Sequence, residues 1–172
     1  MRAAFLLALA LALAAGGAHA DAWKSLHGRW TGAGEVNGMA AEVELEFRET
    51  LDGYGRHLTF ANRMTAKDGT ERMFRAEALY LCNEAGVCRG HWYDSRGVVL
   101  PLAGVTHADR IVVDWGDTTT ERGRTTYLVT PDRRLEVTDE VLGKDGRWKV
   151  FGRTTSRPAH PNTSTPFQRY PL

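Results

Sequence analysis

Cysteine is scarce in this sequence: 172 residues hold two, Cys82 and Cys88, with five residues between them. With no second pair, a four-cysteine zinc site is excluded, because zinc takes about four ligands. The gap is wider than the two-residue spacing of a thioredoxin-type or zinc pair, and no His follows as in haem attachment. Runs of like charge are missing too, and 22 Lys and Arg face 21 Asp and Glu. That balance argues against a nucleic-acid partner, which needs a basic stripe to displace counterions. Long apolar runs are missing but for one, the 13 residues from Ala3 to Ala15. A membrane helix needs about 20. The run follows Arg2, breaks at Gly16-Gly17 and is succeeded by Ala18-His19-Ala20. This is the three-part plan of a secretory signal, with cleavage expected after Ala20. No cysteine follows the run to accept a lipid. Repeats and a second domain are likewise absent from the pattern.

Removing residues 1–20 leaves 152 residues with 21 basic and 21 acidic side chains. That length suits one domain with one core. Export, expected here to the periplasm, places the two cysteines in an oxidising compartment, where a structural disulfide is the expected form. A loop this short removes little chain entropy, so the bond mainly pins a turn and locks the register of two strands.

The rest is strand after strand. AEVELEFRE (41–49) alternates cleanly, with Val43, Leu45 and Phe47 on one face and charges on the other. Period two of this kind marks a half-buried antiparallel strand. Further strands are read at 28–36, 56–64, 72–81, 87–93, 97–102, 110–116, 123–130, 133–142 and 147–155. Turn chemistry separates nearly all of them: Asn37-Gly38, Asp52-Gly53, Asp68-Gly69, Asn83 to Gly86, Asp94 to Gly97, Pro131-Asp132 and Asp145-Gly146. Short loops leave no room for crossover helices. The expected fold is therefore all-β: an antiparallel up-and-down barrel of about ten strands, closed because an open meander exposes two long edges. DAWKSLH (21–27) is expected to form a helical turn that plugs one end. The barrel domain is assigned to 21–155. A proline-rich tail is assigned to 156–172, which holds four prolines.

LHGRWTGAGEV, with Gly28-Arg29-Trp30 on the first strand after a short helical start, resembles the calycin superfamily of lipocalins, fatty-acid-binding proteins and nitrobindin-like barrels. HWYDSRGVVLPL, DWGDTTTERGRTTY and LEVTDEVLGKDGRWKVFGR are similar to motifs of secreted bacterial barrels of this type. The resemblance spans roughly residues 23–155. It implies that Gly28 and Trp30 mark the floor of the barrel and that the interior takes a ligand. Nitrobindin-like barrels hold haem through a histidine near the chain end. Here RWKVFGRTTSRP offers Arg153 and Thr154 but no His, so that ligand does not carry over and no cofactor is expected.

A disulfide across a hairpin sets Tyr80 opposite Gly90 and Ala78 opposite Trp92. Phe74, Ala76, Ala78, Tyr80 and Trp92 then share the inner face, the small alanines making room for the tryptophan. Alternation adds Phe60 and Asn62, Trp115, Asp139, and Trp148 with Val150. Arg124 joins them if Thr126 and Leu128 face inward. Asp139 and Arg124 either orient a ligand's polar group or pair with each other for structural reasons, the commoner case for buried charges. Asp139 at the rim in water is a third option. The expected ligand-binding interior is thus Phe47, Phe60, Asn62, Tyr80, Trp92, Trp115, Arg124, Asp139 and Trp148, in a monomer holding a small apolar or amphipathic molecule. Two alternatives stand beside it. One is a filled barrel serving as a structural or interaction module of the cell envelope. The other is an enzyme using His91 or Asp139, although alternation places His91 outside and Ser95 lies in no nucleophile elbow. No catalytic or metal site is assigned. Thr118 to Arg122 is read as a solvated loop, with a loop at the barrel mouth as the alternative.

Overall fold

The computed structural model describes residues 22–160; the expected signal segment and most of the expected tail lie outside them. The chain forms β1 (Gly28–Val36), β2 (Met39–Thr50), β3 (Gly55–Thr65), β4 (Glu71–Cys82) and β5 (Val87–Asp94). It continues with β6 (Val99–Thr106), β7 (Arg110–Trp115), β8 (Gly123–Val129), β9 (Leu135–Leu142) and β10 (Trp148–Pro158). Every strand pairs antiparallel with its sequence neighbours, and β1 pairs with β10 to close the barrel. The final strand runs to Pro158, into the stretch read as tail, and Ser156 is buried there opposite Gly32.

Local chemistry explains the elements. Asn37 (φ 51°) and Gly38 (φ 72°) both adopt positive φ in the two-residue β1–β2 turn. That is the geometry whose twist suits a tight hairpin. Val43, Leu45 and Phe47 of β2 are all buried, as their alternation requires. The β4–β5 register is the one the cysteines imply: Ala78 faces Trp92, Tyr80 faces Gly90, and Cys82 faces Cys88, to which it is bonded.

The helical turn 22–26 closes one end. Trp23 packs against Phe47 and Tyr80, and its Nε1–H donates to Thr106 Oγ1 at 3.0 Å. Trp30 is buried, and its Nε1–H donates to the Leu26 carbonyl at 2.7 Å, tying the turn to β1. Leu26, Ile111, Leu135 and Cys88 complete a continuous core at this end. Among the described residues no helix is long and apolar enough to cross a membrane.

Candidate functional site

Beyond that core the barrel is hollow. A cavity of about 440 Å³ opens toward the β1–β2, β3–β4, β5–β6 and β7–β8 turns. Phe60, Phe74 and Trp92 form one aromatic wall, with ring centroids 6.1–6.3 Å apart and Phe74 stacked on Trp92. Trp115 and Phe151 form another, meeting edge to face at 6.3 Å. Tyr80 and Tyr127 lie deeper, both buried. Burial pushes both phenols well above their ordinary value, helped by the charge of Asp139, so both stay protonated.

Two polar side chains interrupt the apolar lining. Asp139 of β9 faces the cavity, where burial raises its carboxyl pKa from 3.8 to about 6. The Thr125 hydroxyl opposes that shift by donating to Asp139 Oδ1 at 2.6 Å. The Trp115 Nε1–H donates in turn to Thr125 Oγ1 at 3.3 Å, which fixes the hydroxyl's direction. Asn62 of β3 is buried on the cavity wall, and its Oδ1 has no hydrogen-bond partner among the described residues.

The rim mixes charges. Arg96 donates to Asp94 Oδ2 at 2.8 Å and lies 5.4 Å over the Phe74 ring. The Trp92 Nε1–H donates to the same carboxylate at 3.1 Å. These donors hold the Asp94 carboxyl below its ordinary value against the opposing effect of burial, the largest single influence on it. Arg72 and Glu121 also reach the opening. The 117–122 loop reaches the mouth through Glu121, with Asp117 Oδ1 accepting from the Thr119 N–H at 2.8 Å.

Phe60, Asn62, Tyr80, Trp92, Trp115 and Asp139 all line this cavity; Phe47 lies in the core at the closed end. Arg124 and Trp148 do not belong to the interior. Arg124 Nε donates to Asp114 Oδ1 at 2.6 Å on the outer wall, and its guanidinium lies 4.6 Å over the Trp148 ring. Both placements have a cause. Gly123, not Arg124, faces inward on β8, opposite Trp115, so Thr125 and Tyr127 point in while Thr126 and Leu128 do not. On β10 a bulge between Val150 and Gly152 adds Phe151, which turns inward and sends Trp148 and Val150 out.

Tyr127, Thr125, Phe151 and the rim residues Arg72, Arg96 and Glu121 line the cavity in addition to the expected set. For Thr125 and Tyr127 a signal existed: with Trp115 inward, the hairpin forces its partner Gly123 inward as well. His91 is exposed on the outer wall beside Tyr93, and Ser95 is exposed with its Oγ accepting from the Arg75 N–H. Among the described residues no group of three or more His, Cys, Asp or Glu side chains is placed to hold a metal.

Fold and site together define a class: a closed ten-stranded antiparallel β-barrel, plugged at one end, with an aromatic, acid-bearing cavity open at the other. The sequence matches no protein-family model, and no curated protein matches it.

Proposed function

We propose that this chain is an exported, monomeric binding barrel of the calycin type that holds a small amphipathic molecule in its interior. The observation that carries the reading is the cavity of about 440 Å³ walled by Phe60, Phe74, Trp92 and Trp115. Ligand sites typically occupy about 300–1,000 Å³, apolar with a few polar groups, and a barrel packed solid by its own side chains leaves no such volume. Apolar ligand surface buried here contributes roughly 25 cal/mol per Å². The Gly28-Arg29-Trp30 segment on β1 and the closed meander support the calycin assignment. The Cys82–Cys88 bond supports export to an oxidising compartment.

The test uses protein purified from the periplasm of an expression host without refolding. Native mass spectrometry is expected to show a monomer carrying a small co-purified mass. Diphenylhexatriene, an apolar fluorophore without hydrogen-bond donors, is expected to brighten on binding. Leu100→Trp, which fills the cavity from a lining position, is expected to abolish that signal while the barrel still unfolds cooperatively. No bound mass together with no fluorescence change overturns the reading.

A second reading is an acid–base enzyme with Asp139 as its base. It is favoured by the raised carboxyl pKa inside a cleft. Turnover separates the two: an enzyme returns an altered ligand mass after incubation, and a carrier returns the ligand unchanged.

A further inference from the structure

We propose that the molecule held in the barrel is an amine-headed amphiphile that enters head first, with Asp139 receiving the ammonium group. The inference rests on the binding reading above and adds the chemistry of the ligand. Asp139 sits on the cavity wall, with one hydrogen bond from Thr125 to Oδ1. Among the described residues no Lys, Arg or His forms an ion pair with it. A carboxylate enclosed without a cation is unfavourable, and a cation that enters the same space removes that cost.

Asn62 points to the same kind of ligand independently. Its Oδ1 is a buried acceptor on the cavity wall with no donor in the protein. A buried acceptor left unmatched is unfavourable, so the wall gains from a ligand that brings N–H or O–H groups. The Phe60, Phe74 and Trp92 rings add faces that attract a cation and apolar area for a chain.

An anionic amphiphile meets the opposite conditions. Placed head first, its carboxylate confronts Asp139. Placed tail first, its chain lies against the Asp139 carboxylate and leaves Asn62 unmatched, while the rim offers little net positive charge. Arg96 is already held by Asp94 and has Glu121 beside it, which leaves Arg72 as the rim arginine with no carboxylate bonded to it among the described residues.

Decylamine, decanol and decanoate, each below its aggregation threshold, are compared at pH 7.5 as competitors of diphenylhexatriene on the disulfide-bonded protein. The expected order is amine, then alcohol, then carboxylate, with at least a tenfold gap between first and last. Asp139→Asn is expected to bring the amine-to-carboxylate ratio within threefold. A ratio of affinities separates this from damage to the fold, which weakens both ligands together. Asn62→Leu is expected to weaken decylamine and decanol at least threefold while the probe still binds. Decanoate binding as tightly as decylamine, a preference that survives Asp139→Asn, or probe binding with no displacement by the amine overturns the proposal and leaves the cavity reading standing. If neither the probe nor any of the three binds, both fall together.

Discussion

At the scale of single residues, Asp139 sets the most direct test. Its carboxyl titrates near 6 in the folded chain instead of 3.8, because burial disfavours the charged form. Between those two values the folded chain holds more proton at this site than the unfolded chain. Stability from this group therefore rises as pH falls through the window, the reverse of an ion-paired aspartate. At about 1.4 kcal/mol per unit, the ionised form costs the fold about 3 kcal/mol at most above the window. Tyr80 and Tyr127 stay neutral throughout it. Asp139→Asn is expected to raise the unfolding free energy at pH 8 by roughly 1–3 kcal/mol and to flatten the slope between pH 4 and 6. Urea titrations at several pH values measure both, and an unchanged slope refutes the assignment. Gly123 makes a different kind of demand. A Cβ there would lie 1.8 Å from Cζ2 of Trp115, inside the indole that covers the glycine. Gly123→Ala is expected to destabilise by about 1–3 kcal/mol, the range for forced overpacking. It should also displace Trp115 from Thr125, seen as a shift in tryptophan emission.

At the scale of elements, the disulfide and the bulge act oppositely on how readable the strands are. Cys82 and Cys88 announce a hairpin and its register from sequence alone, and from that register the inward set Phe74, Ala76, Ala78, Tyr80 and Trp92 follows by alternation. β2 is as legible, since Glu42, Glu44, Glu46 and Arg48 mark the outward positions between its buried residues. β8 is not: in GRTTYLV either threonine can face inward, and the leading glycine has no side chain to declare a face. β10 misleads outright. Its single inserted residue, Phe151, reverses the parity of everything before it, and nothing in WKVFGR marks that insertion beyond a glycine that suits close packing against Asp139. The bulge is held from across the seam, where the Asn37 N–H donates to the Phe151 carbonyl at 2.7 Å. The Arg124–Trp148 contact on the outer wall follows from these two hidden parities together. The same scale yields a stability prediction. The bonded cysteines are six positions apart in sequence, so closing so small a loop constrains the unfolded chain by roughly 2 kcal/mol. The double variant Cys82→Ala, Cys88→Ala is expected to lose about that much in urea, while diphenylhexatriene binding persists, because neither cysteine lines the cavity.

For the whole molecule, the property on which both cavity and core depend is closure between the first strand and the last. The β1–β10 seam consists of the pairs from Val36↔Gly152 to Trp30↔Pro158. Its far end holds Ser156 against Gly32 and carries the chain past Trp30, the residue that anchors the plugging turn through the Leu26 carbonyl. A chain ending at His160 keeps every one of these pairs. It is the reference against which the shorter chain is measured. A chain ending at Thr154 loses the partners of Trp30, Thr31, Gly32 and Ala33. Half of the seam then opens beside the helical turn, Trp30 and Leu45 gain access to water, and two strand edges are exposed. Loss of the cooperative transition, loss of probe binding and concentration-dependent association are expected for this shorter chain. Hydrogen exchange at the β1 amides reads the same event locally: protection at Thr31 to Ala33 should vanish first. If the Thr154 truncation instead retains a sharp transition and an intact cavity, the β1–β2 pairing alone holds the first strand, and closure is not what keeps the interior hollow.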